Sequence, residues 1–180
     1  MNIPNFITIA RILLVPLIIL LLISEDFGWA LVVFAVAGLS DAADGALARA
    51  TNTQSEVGAY LDPLADKLLL VSTYTALGII KQIPTWLVIS VISRDIFIVG
   101  GLMLSWFMDK PVQVKPLWVS KLNTVVQIYF VCIVLAQLAF SVAPQVLLDA
   151  SAIVVASLTF ASGLAYMRQW VIHMTETKAA

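Results

Sequence analysis

The feature that most limits how this chain can fold is a series of six long apolar stretches. They cover approximately residues 6–24, 28–48, 59–80, 84–107, 119–141 and 144–167. A helix that crosses the hydrocarbon core of a bilayer needs about 20 mostly apolar residues, and each stretch has about that length. Because the stretches take up most of the 180 residues, only short loops and tails remain. We therefore predict an all-α integral membrane protein with six transmembrane helices, forming a single domain over residues 1–180.

The composition excludes several classes of protein. Apolar residues make up 61% of the chain and charged residues only 12%, whereas a typical soluble domain contains about 25% charged residues. A soluble enzyme is therefore excluded. The formal net charge of −1 provides no basic face, so nucleic acid is not an expected partner. With one cysteine, Cys132, and one histidine, His173, neither an internal disulfide nor a cysteine- or histidine-rich metal site is expected.

The basic residues predict how the helices are oriented. Apart from Arg94, which lies within the fourth stretch, one set of loops and tails holds nearly all of them: Arg11, Arg49, Lys67, Lys110, Lys115, Lys121, Arg168 and Lys178. The opposite loops hold only Lys81. The positive-inside rule then places both termini in the cytoplasm. The first stretch lacks the basic start and small-residue cleavage site of a signal peptide, so we expect a retained helix with no transit peptide before it. That expectation favours a bacterial cytoplasmic membrane.

Two pairs of acidic residues stand near the predicted cytoplasmic ends of the second and third stretches. Asp41 and Asp44 are three residues apart, and Asp62 and Asp66 are four apart, so each pair shares one helix face. The second stretch runs inward and the third outward, which brings the pairs to a similar depth. Capping or a solvated loop is an alternative role for Asp62, but it does not explain why Asp41 and Asp44 interrupt an apolar helix.

Four converging carboxylates repel one another unless a cation lies between them. Oxygen ligands select hard cations, so Mg²⁺ or Mn²⁺ is favoured, while Ca²⁺ remains possible. Two pairs can hold two ions, an arrangement typical of enzymes that transfer phosphoryl groups. Nearby Gly45, Ala48 and Gly58 leave room for a ligand, and Arg49 can pair with a phosphate, although close helix packing explains small residues equally well.

These residues together resemble the signature of a known family. Asp41-x2-Asp44-Gly45-x2-Ala48-Arg49-x8-Gly58-x3-Asp62-x3-Asp66 is similar to the complete motif of the CDP-alcohol phosphotransferases, without departure in residue or spacing. The resemblance implies a metal-dependent transfer of a substituted phosphate from a CDP-linked donor to an alcohol, with release of CMP. It also implies a homodimer.

The resemblance also implies roles for individual residues. Asp41, Asp44 and Asp62 match ligands of a metal pair. Asp66 matches the base that accepts the proton of the acceptor hydroxyl, and it also matches a ligand of the second ion. The donor-binding positions implied by the motif and by the similar N-terminal segment are Gly45, Ala48, Arg49, Gly58, Asn5 and Thr8.

Two further segments resemble one branch of the family. Arg94-Asp95 and the stretch Ser120-Lys121-Leu122-Asn123-Thr124 are similar to segments of eukaryotic-type cardiolipin synthases. They imply CDP-diacylglycerol as the donor and phosphatidylglycerol as the acceptor, with glycerol 3-phosphate as the alternative acceptor. We predict that Arg94 and Lys121 bind the acceptor. The alternatives are a structural pair between Arg94 and Asp95, which within a membrane should face the protein interior, and a Lys121 that extends to the lipid headgroups.

Two functions of other classes remain open at the sequence level. An ion transporter also places carboxylates within the membrane, but such folds often contain internal repeats and have their acidic residues near the midplane. This chain has one acidic cluster near one membrane face and no visible repeat. A non-catalytic membrane scaffold is the other alternative, and it would not need a complete metal-binding motif.

Overall fold

The structure, a computed structural model, describes the backbone of residues 3–51, 56–107 and 118–176 and the side chains of residues 11–40, 67–101, 103 and 118–172. Within this backbone there are six α-helices, and the all-α class is confirmed. They are α1 (Ile3–Ile23), α2 (Phe27–Thr51), α3 (Glu56–Ile79), α4 (Thr85–Phe107), α5 (Trp118–Phe140) and α6 (Gln145–Glu176). Each predicted apolar stretch corresponds to one of these helices.

The helices form two compact units. The first unit comprises Met1–Ile83 and Val131–Pro144, and the second comprises Pro84–Phe130 and Gln145–Ala180. In the first unit α1 packs against both α2 and α3, and in the second unit α4 packs against α6. Helix α5 contributes its first part to the second unit and its remaining part to the first.

Two of the helices have the length and composition of membrane spans. Among the described residues these are α5 and Gln145–Ile172 of α6, while the described parts of α1, α2 and α3 form shorter apolar helices. Large apolar side chains are exposed along the helices: Leu13 is 67% exposed, Phe97 71% and Phe160 70%. Soluble monomers rarely expose extensive apolar surface, so this surface fits a lipid environment. The count of six spans and the orientation stay predictions.

The buried side chains differ between the two units. In the first unit they are mostly apolar, and the largest include Ile18, Leu22, Phe34, Tyr74 and Leu77. In the second unit apolar residues such as Leu87, Val91 and Val155 are buried together with a polar set: Arg94, Asn123, Gln127, Thr159 and Ser162. The mid-helix position of Arg94 predicted that it would face the protein interior, and its burial confirms this.

Three connections contain a residue in the left-handed backbone conformation. Glu25, Lys81 and Ser141 have φ values of 61°, 59° and 52°, and each lies just beyond the end of a helix. After α1, the amide of Asp26 donates to the carbonyl of Leu21 at 2.9 Å, the long bond of a Schellman motif. A bond of this kind satisfies a carbonyl that the helix end leaves without a partner, and it allows the chain to reverse within a few residues.

The connection between α5 and α6 is held by a side chain as well as by the backbone. The amide of Ser141 donates to the carbonyl of Gln137 at 2.8 Å, and the amide of Ala143 donates to Oε1 of the same glutamine at 2.6 Å. Pro144 then immediately precedes α6. One glutamine thus accepts two of the amide groups at this turn.

Helix α6 is longer than the apolar stretch that predicted it. The stretch ends at residue 167, but the helix continues to Glu176 and includes His173. At about 1.5 Å per residue, 32 helical residues extend roughly 48 Å, more than the hydrocarbon core of about 30 Å. No glycine or proline interrupts residues 167–176, so nothing in the sequence ends the helix where its apolar part ends.

Candidate active site

The predicted metal and donor residues lie on the first three helices. Helix α2 is continuous through positions 41 and 44, and α3 is continuous through positions 62 and 66. The predicted pairs therefore have the helical spacing that places their members on one face. The side chains of the four aspartates lie outside the described residues, as do those of Gly45, Ala48, Arg49, Gly58, Asn5 and Thr8.

The buried face of α2 leads towards its acidic pair. Ala30, Phe34 and Ala37 are buried, and their spacing of four and then three residues defines one face of the helix. The same spacing, continued along the continuous helix, next reaches positions 41 and 44. By helical register, positions 41 and 44 therefore continue the line of Ala30, Phe34 and Ala37 along α2.

The buried face of α3 is also in register with its acidic pair, which here lies towards the start of the helix. Leu77, Thr73 and Leu70 are buried at spacings of four and three residues. Continued towards the start of the helix, this face reaches position 66 and then position 62. Helix α1 packs against both α2 and α3, so the two helices that carry the acidic pairs share a neighbour in the first unit.

The predicted metal centre depends on the four aspartates of the motif. Where side chains are described, no group of three His, Cys, Asp or Glu residues is close enough to hold a metal ion. The donor set of Asp41, Asp44, Asp62 and Asp66 consists of carboxylates alone, which suits Mg²⁺ or Mn²⁺ and not a soft metal. The chemistry of the residues present therefore fits the implied ions.

Arg94 lies at the centre of a hydrogen-bonded cluster in the second unit. Its Nη1 donates to Oδ1 of Asp95 at 2.6 Å, and its Nη2 donates to Oγ of Ser120 on α5 at 2.5 Å. Both Nη2 and Nε also donate to Oγ of Ser162 on α6, at 2.5 and 3.2 Å. The guanidinium carbon lies 5.8 Å from the centre of the Tyr166 ring. The guanidinium, only 5% exposed, therefore links three helices.

Lys121, the second predicted acceptor residue, has a different environment. It is exposed on α5, directly after Ser120, and its Nζ lies 5.5 Å from the centre of the Trp118 ring. Trp118 is itself 84% exposed. An exposed tryptophan at a helix end is typical of the interface between bilayer and water. The structure thus places Arg94 and Lys121 in one unit, with Arg94 buried and Lys121 accessible.

A second polar group lies one helical turn further along α5. The hydroxyl of Thr159 on α6 donates to Oδ1 of Asn123 at 3.0 Å, and Nε2 of Gln127 donates to the same hydroxyl at 3.4 Å. Nδ2 of Asn123 is buried and has no hydrogen-bond partner among the described residues. These bonds fix α5 and α6 in one register.

Sequence analysis missed several of these residues. Ser162, Thr159 and Tyr166 surround the buried polar groups of α4 and α5 but were not among the predicted site residues. One signal was present: Thr159 and Ser162 are three residues apart, as are Ser120 and Asn123, so each pair shares a helix face. The sequence does not say that these two faces meet.

Comparison with known proteins identifies the family. Residues 1–174 match the family model described as CDP-alcohol phosphatidyltransferase. A cardiolipin synthase (CMP-forming) from Homo sapiens is 36% identical over 181 residues, covering 92% of this chain and 60% of the relative. A CDP-diacylglycerol--glycerol-3-phosphate 3-phosphatidyltransferase 1, chloroplastic, from Oryza sativa is 34% identical over 184 residues, covering 92% of this chain and 56% of the relative.

A bacterial relative matches over a shorter region. The cardiolipin synthase (CMP-forming) from Streptomyces coelicolor is 40% identical over 101 residues, covering 53% of this chain and 47% of the relative. This chain therefore spans about half to three fifths of the length of these curated relatives. The match to the family model extends over nearly the whole chain and confirms the resemblance found in the eight motif positions. The chain belongs to the CDP-alcohol phosphatidyltransferase family.

Proposed function

We propose that this protein transfers a phosphatidyl group from CDP-diacylglycerol to the hydroxyl of an alcohol and releases CMP. The hydroxyl oxygen forms the new bond to phosphorus while the bond between phosphorus and the CMP oxygen breaks. The observation that carries the proposal is the complete eight-position motif on two continuous helices, α2 and α3. Relatives that carry names of this activity align with 92% of the chain.

The chain's carboxylates divide between metal binding and proton transfer. Asp41, Asp44 and Asp62 are the proposed ligands of two Mg²⁺ or Mn²⁺ ions, and Asp66 is the proposed base and an additional proposed ligand of the second ion. When bound, the ions supply positive charge that offsets the donor diphosphate and makes CMP a better leaving group. Asp66 accepts the acceptor's proton, for which it needs hydrogen-bond reach to the hydroxyl.

The donor is proposed to lie along the starting segment of α1 and the motif. Arg49 pairs with a phosphate oxygen of the diphosphate, for which a guanidinium fork is well suited. Absent or small side chains leave room for the nucleotide to approach the helix backbones. The complete proposed donor-binding set is Gly45, Ala48, Arg49, Gly58, Asn5 and Thr8.

The proposed acceptor is phosphatidylglycerol, which would yield cardiolipin. Arg94 and Lys121 are the proposed acceptor residues, and the contact of Arg94 with Asp95 at 2.6 Å offsets much of the arginine's charge. A site with little net positive charge suits the single negative charge of a phosphodiester better than the two of glycerol 3-phosphate. The exposed apolar surface and the interfacial Trp118 also support an acceptor that arrives from the bilayer.

Glycerol 3-phosphate is the second candidate acceptor, with phosphatidylglycerolphosphate as its product. The similarity to the Oryza sativa protein, whose name includes glycerol-3-phosphate, favours it. The proposed setting is common to both acceptors: one membrane domain over residues 1–180, six spans with both termini cytoplasmic, and a homodimer. The proposed location is the bacterial cytoplasmic membrane, which the Streptomyces coelicolor relative supports.

One assay tests the proposal. The purified full chain is supplied with CDP-diacylglycerol, Mg²⁺ or Mn²⁺, and either phosphatidylglycerol or glycerol 3-phosphate, and the lipid products are separated. Cardiolipin from phosphatidylglycerol supports the leading proposal. Phosphatidylglycerolphosphate without cardiolipin would replace the acceptor and keep the activity. Absence of CMP release with either acceptor contradicts the proposed function.

A further inference from the structure

The two serines that contact Arg94 differ from other serines of the chain in the partner that they bind. Serines in membrane helices commonly donate to a carbonyl of their own helix, as Ser90 does to Trp86 and Ser157 does to Ile153, both at 2.8 Å. The hydroxyl oxygens of Ser120 and Ser162 instead accept from a guanidinium on another helix. Ser162 is fully buried, so solvent water does not compete with Arg94 for its oxygen.

The same contacts fix how α5 is rotated. Successive residues on a helix point about 100° apart. Holding Ser120 against Arg94 therefore sets the direction in which the next residue, Lys121, leaves the helix. Lys121 is exposed and lies over Trp118. Without the contact, the guanidinium loses its acceptor on α5, and α5 loses one of the bonds that hold it to a neighbouring helix.

We propose that Ser120 and Ser162 are positioning residues for acceptor binding. They hold the guanidinium of Arg94 between α4, α5 and α6, and through the rotation of α5 they fix the direction of Lys121. Neither serine contacts a reacting atom in this proposal. The inference rests on the proposed function, because it assigns the serines to the acceptor side of that reaction.

Two matched controls separate this role from a general effect of removing a serine hydroxyl. The test variants are Ser120→Ala, Ser162→Ala and the double variant. Ser157→Ala on α6 and Ser90→Ala on α4 remove hydroxyls that donate to carbonyls of their own helices. The full chain is reconstituted in lipid vesicles, and initial rates are measured against phosphatidylglycerol and, separately, against CDP-diacylglycerol.

We expect the double variant to raise the KM for the acceptor by about tenfold, equivalent to about 1.4 kcal/mol, which is the size expected for the loss of two hydrogen bonds between membrane helices. Its kcat and its KM for CDP-diacylglycerol should change by less than about twofold, as should all parameters of the two controls. Ser120→Thr retains a hydroxyl and should restore acceptor binding relative to Ser120→Ala. An unchanged acceptor KM in the double variant, or an equal rise in both KM values, overturns the inference.

A measurement that does not depend on catalysis tests the contact between Arg94 and Ser162. Arg94→Lys, Ser162→Ala and their combination form a double-mutant cycle on the unfolding temperature in detergent. Non-additive shifts support the contact, and additive shifts overturn the inference even if the acceptor KM changes. A wild-type chain that transfers to neither acceptor contradicts the proposed function and removes the acceptor role of the serines with it. An active wild type with an unaffected double variant contradicts only the inference.

Discussion

The two units hold their helices by different means. Among the described residues, the first unit buries the polar side chains of Arg11 and Thr73, while the second buries a larger set: Arg94, Asn123, Gln127, Thr159 and Ser162. Lipid tails are as apolar as leucine, so helices in a bilayer gain little from burying apolar surface against one another. We therefore expect hydrogen bonds between helices to contribute more to the stability of the second unit. In the first unit, side-chain packing and the hydrogen-bonded connections should contribute more.

This difference between the units parallels their proposed roles, which are metal and donor binding in the first unit and acceptor binding in the second. The first unit carries the motif on α2 and α3, two continuous helices whose described buried side chains are mostly apolar. The second unit carries the proposed acceptor residues on helices whose register depends on single hydroxyl and amide groups. We therefore expect the first unit to be most sensitive to changes in its charges and its turns, and the second to be most sensitive to loss of single polar groups.

The largest effect is expected at the motif. Asp41→Asn, Asp44→Asn and Asp62→Asn each remove a charged ligand, and the rate of transfer should fall by about a thousandfold or more, because bound metal supplies several kcal/mol of charge stabilisation. Membrane insertion should be retained. Asp149→Asn, at an exposed acid on α6, is the matched control. Near-normal transfer by two of the three motif variants at limiting Mg²⁺ contradicts the two-metal assignment.

Asp66→Asn should separate proton transfer from donor binding. Removing a general base lowers rates by about a hundredfold to ten-thousandfold. If Asp66 acts chiefly as the base, we expect the transfer rate to fall by an amount nearer to about a hundredfold. Metal-dependent binding of CDP-diacylglycerol should then remain close to that of the wild type, as measured with labelled donor in the presence and absence of EDTA. If binding falls as far as in Asp41→Asn, Asp66 belongs with the metal ligands.

The helices and the motif could be predicted because each depends on features that are local in the sequence. A run of apolar residues about as long as a bilayer is thick predicts a helix whatever its neighbours are, and acids spaced by three or four residues share a face wherever the helix packs. The ends of α6 were less predictable. Its last residues, up to Glu176, are more polar than the apolar stretch before them, yet they contain no glycine or proline that would end a helix.

The polar cluster of the second unit could not be predicted, because the same residue types have two common uses. Thr73 and Ser157 donate to carbonyls of their own helices, whereas Thr159 donates to Asn123 on another helix and Ser162 accepts from Arg94. Nothing in the composition of these segments separates the two uses. The distinction depends on which helix faces meet, and that is decided by packing over the whole unit.

Thr159→Val and Thr73→Val test the comparison directly with the same substitution in each unit. Both threonines are almost fully buried. Thr159→Val removes the donor to Asn123 and should lower the free energy of unfolding by about 1–2 kcal/mol. Thr73→Val should cost about 0.5 kcal/mol or less, because the carbonyl of Leu69 keeps its helical bond. Unfolding in mixed micelles measures both, and equal losses would contradict the proposed difference between the units.

The smallest effect is expected at the turn between α5 and α6, where the first unit's stability depends on backbone conformation. Ser141 is exposed and has a φ of 52°, a conformation that costs a residue with a Cβ atom about 1–2 kcal/mol. Ser141→Gly removes this cost but adds freedom to the unfolded chain, which offsets about 0.5–1 kcal/mol. The net result should be a stabilisation of about 0.5 kcal/mol.

Ser141→Ala is the control for that variant, because it removes the hydroxyl and keeps the Cβ atom. It should leave stability unchanged or slightly lower, so that the two variants differ in sign. The amide bond from residue 141 to the carbonyl of Gln137 and the bond from Ala143 to its side chain are available to both. If Ser141→Gly destabilises the protein as much as Ser141→Ala, the hydroxyl and not the backbone conformation determines the strength of this turn.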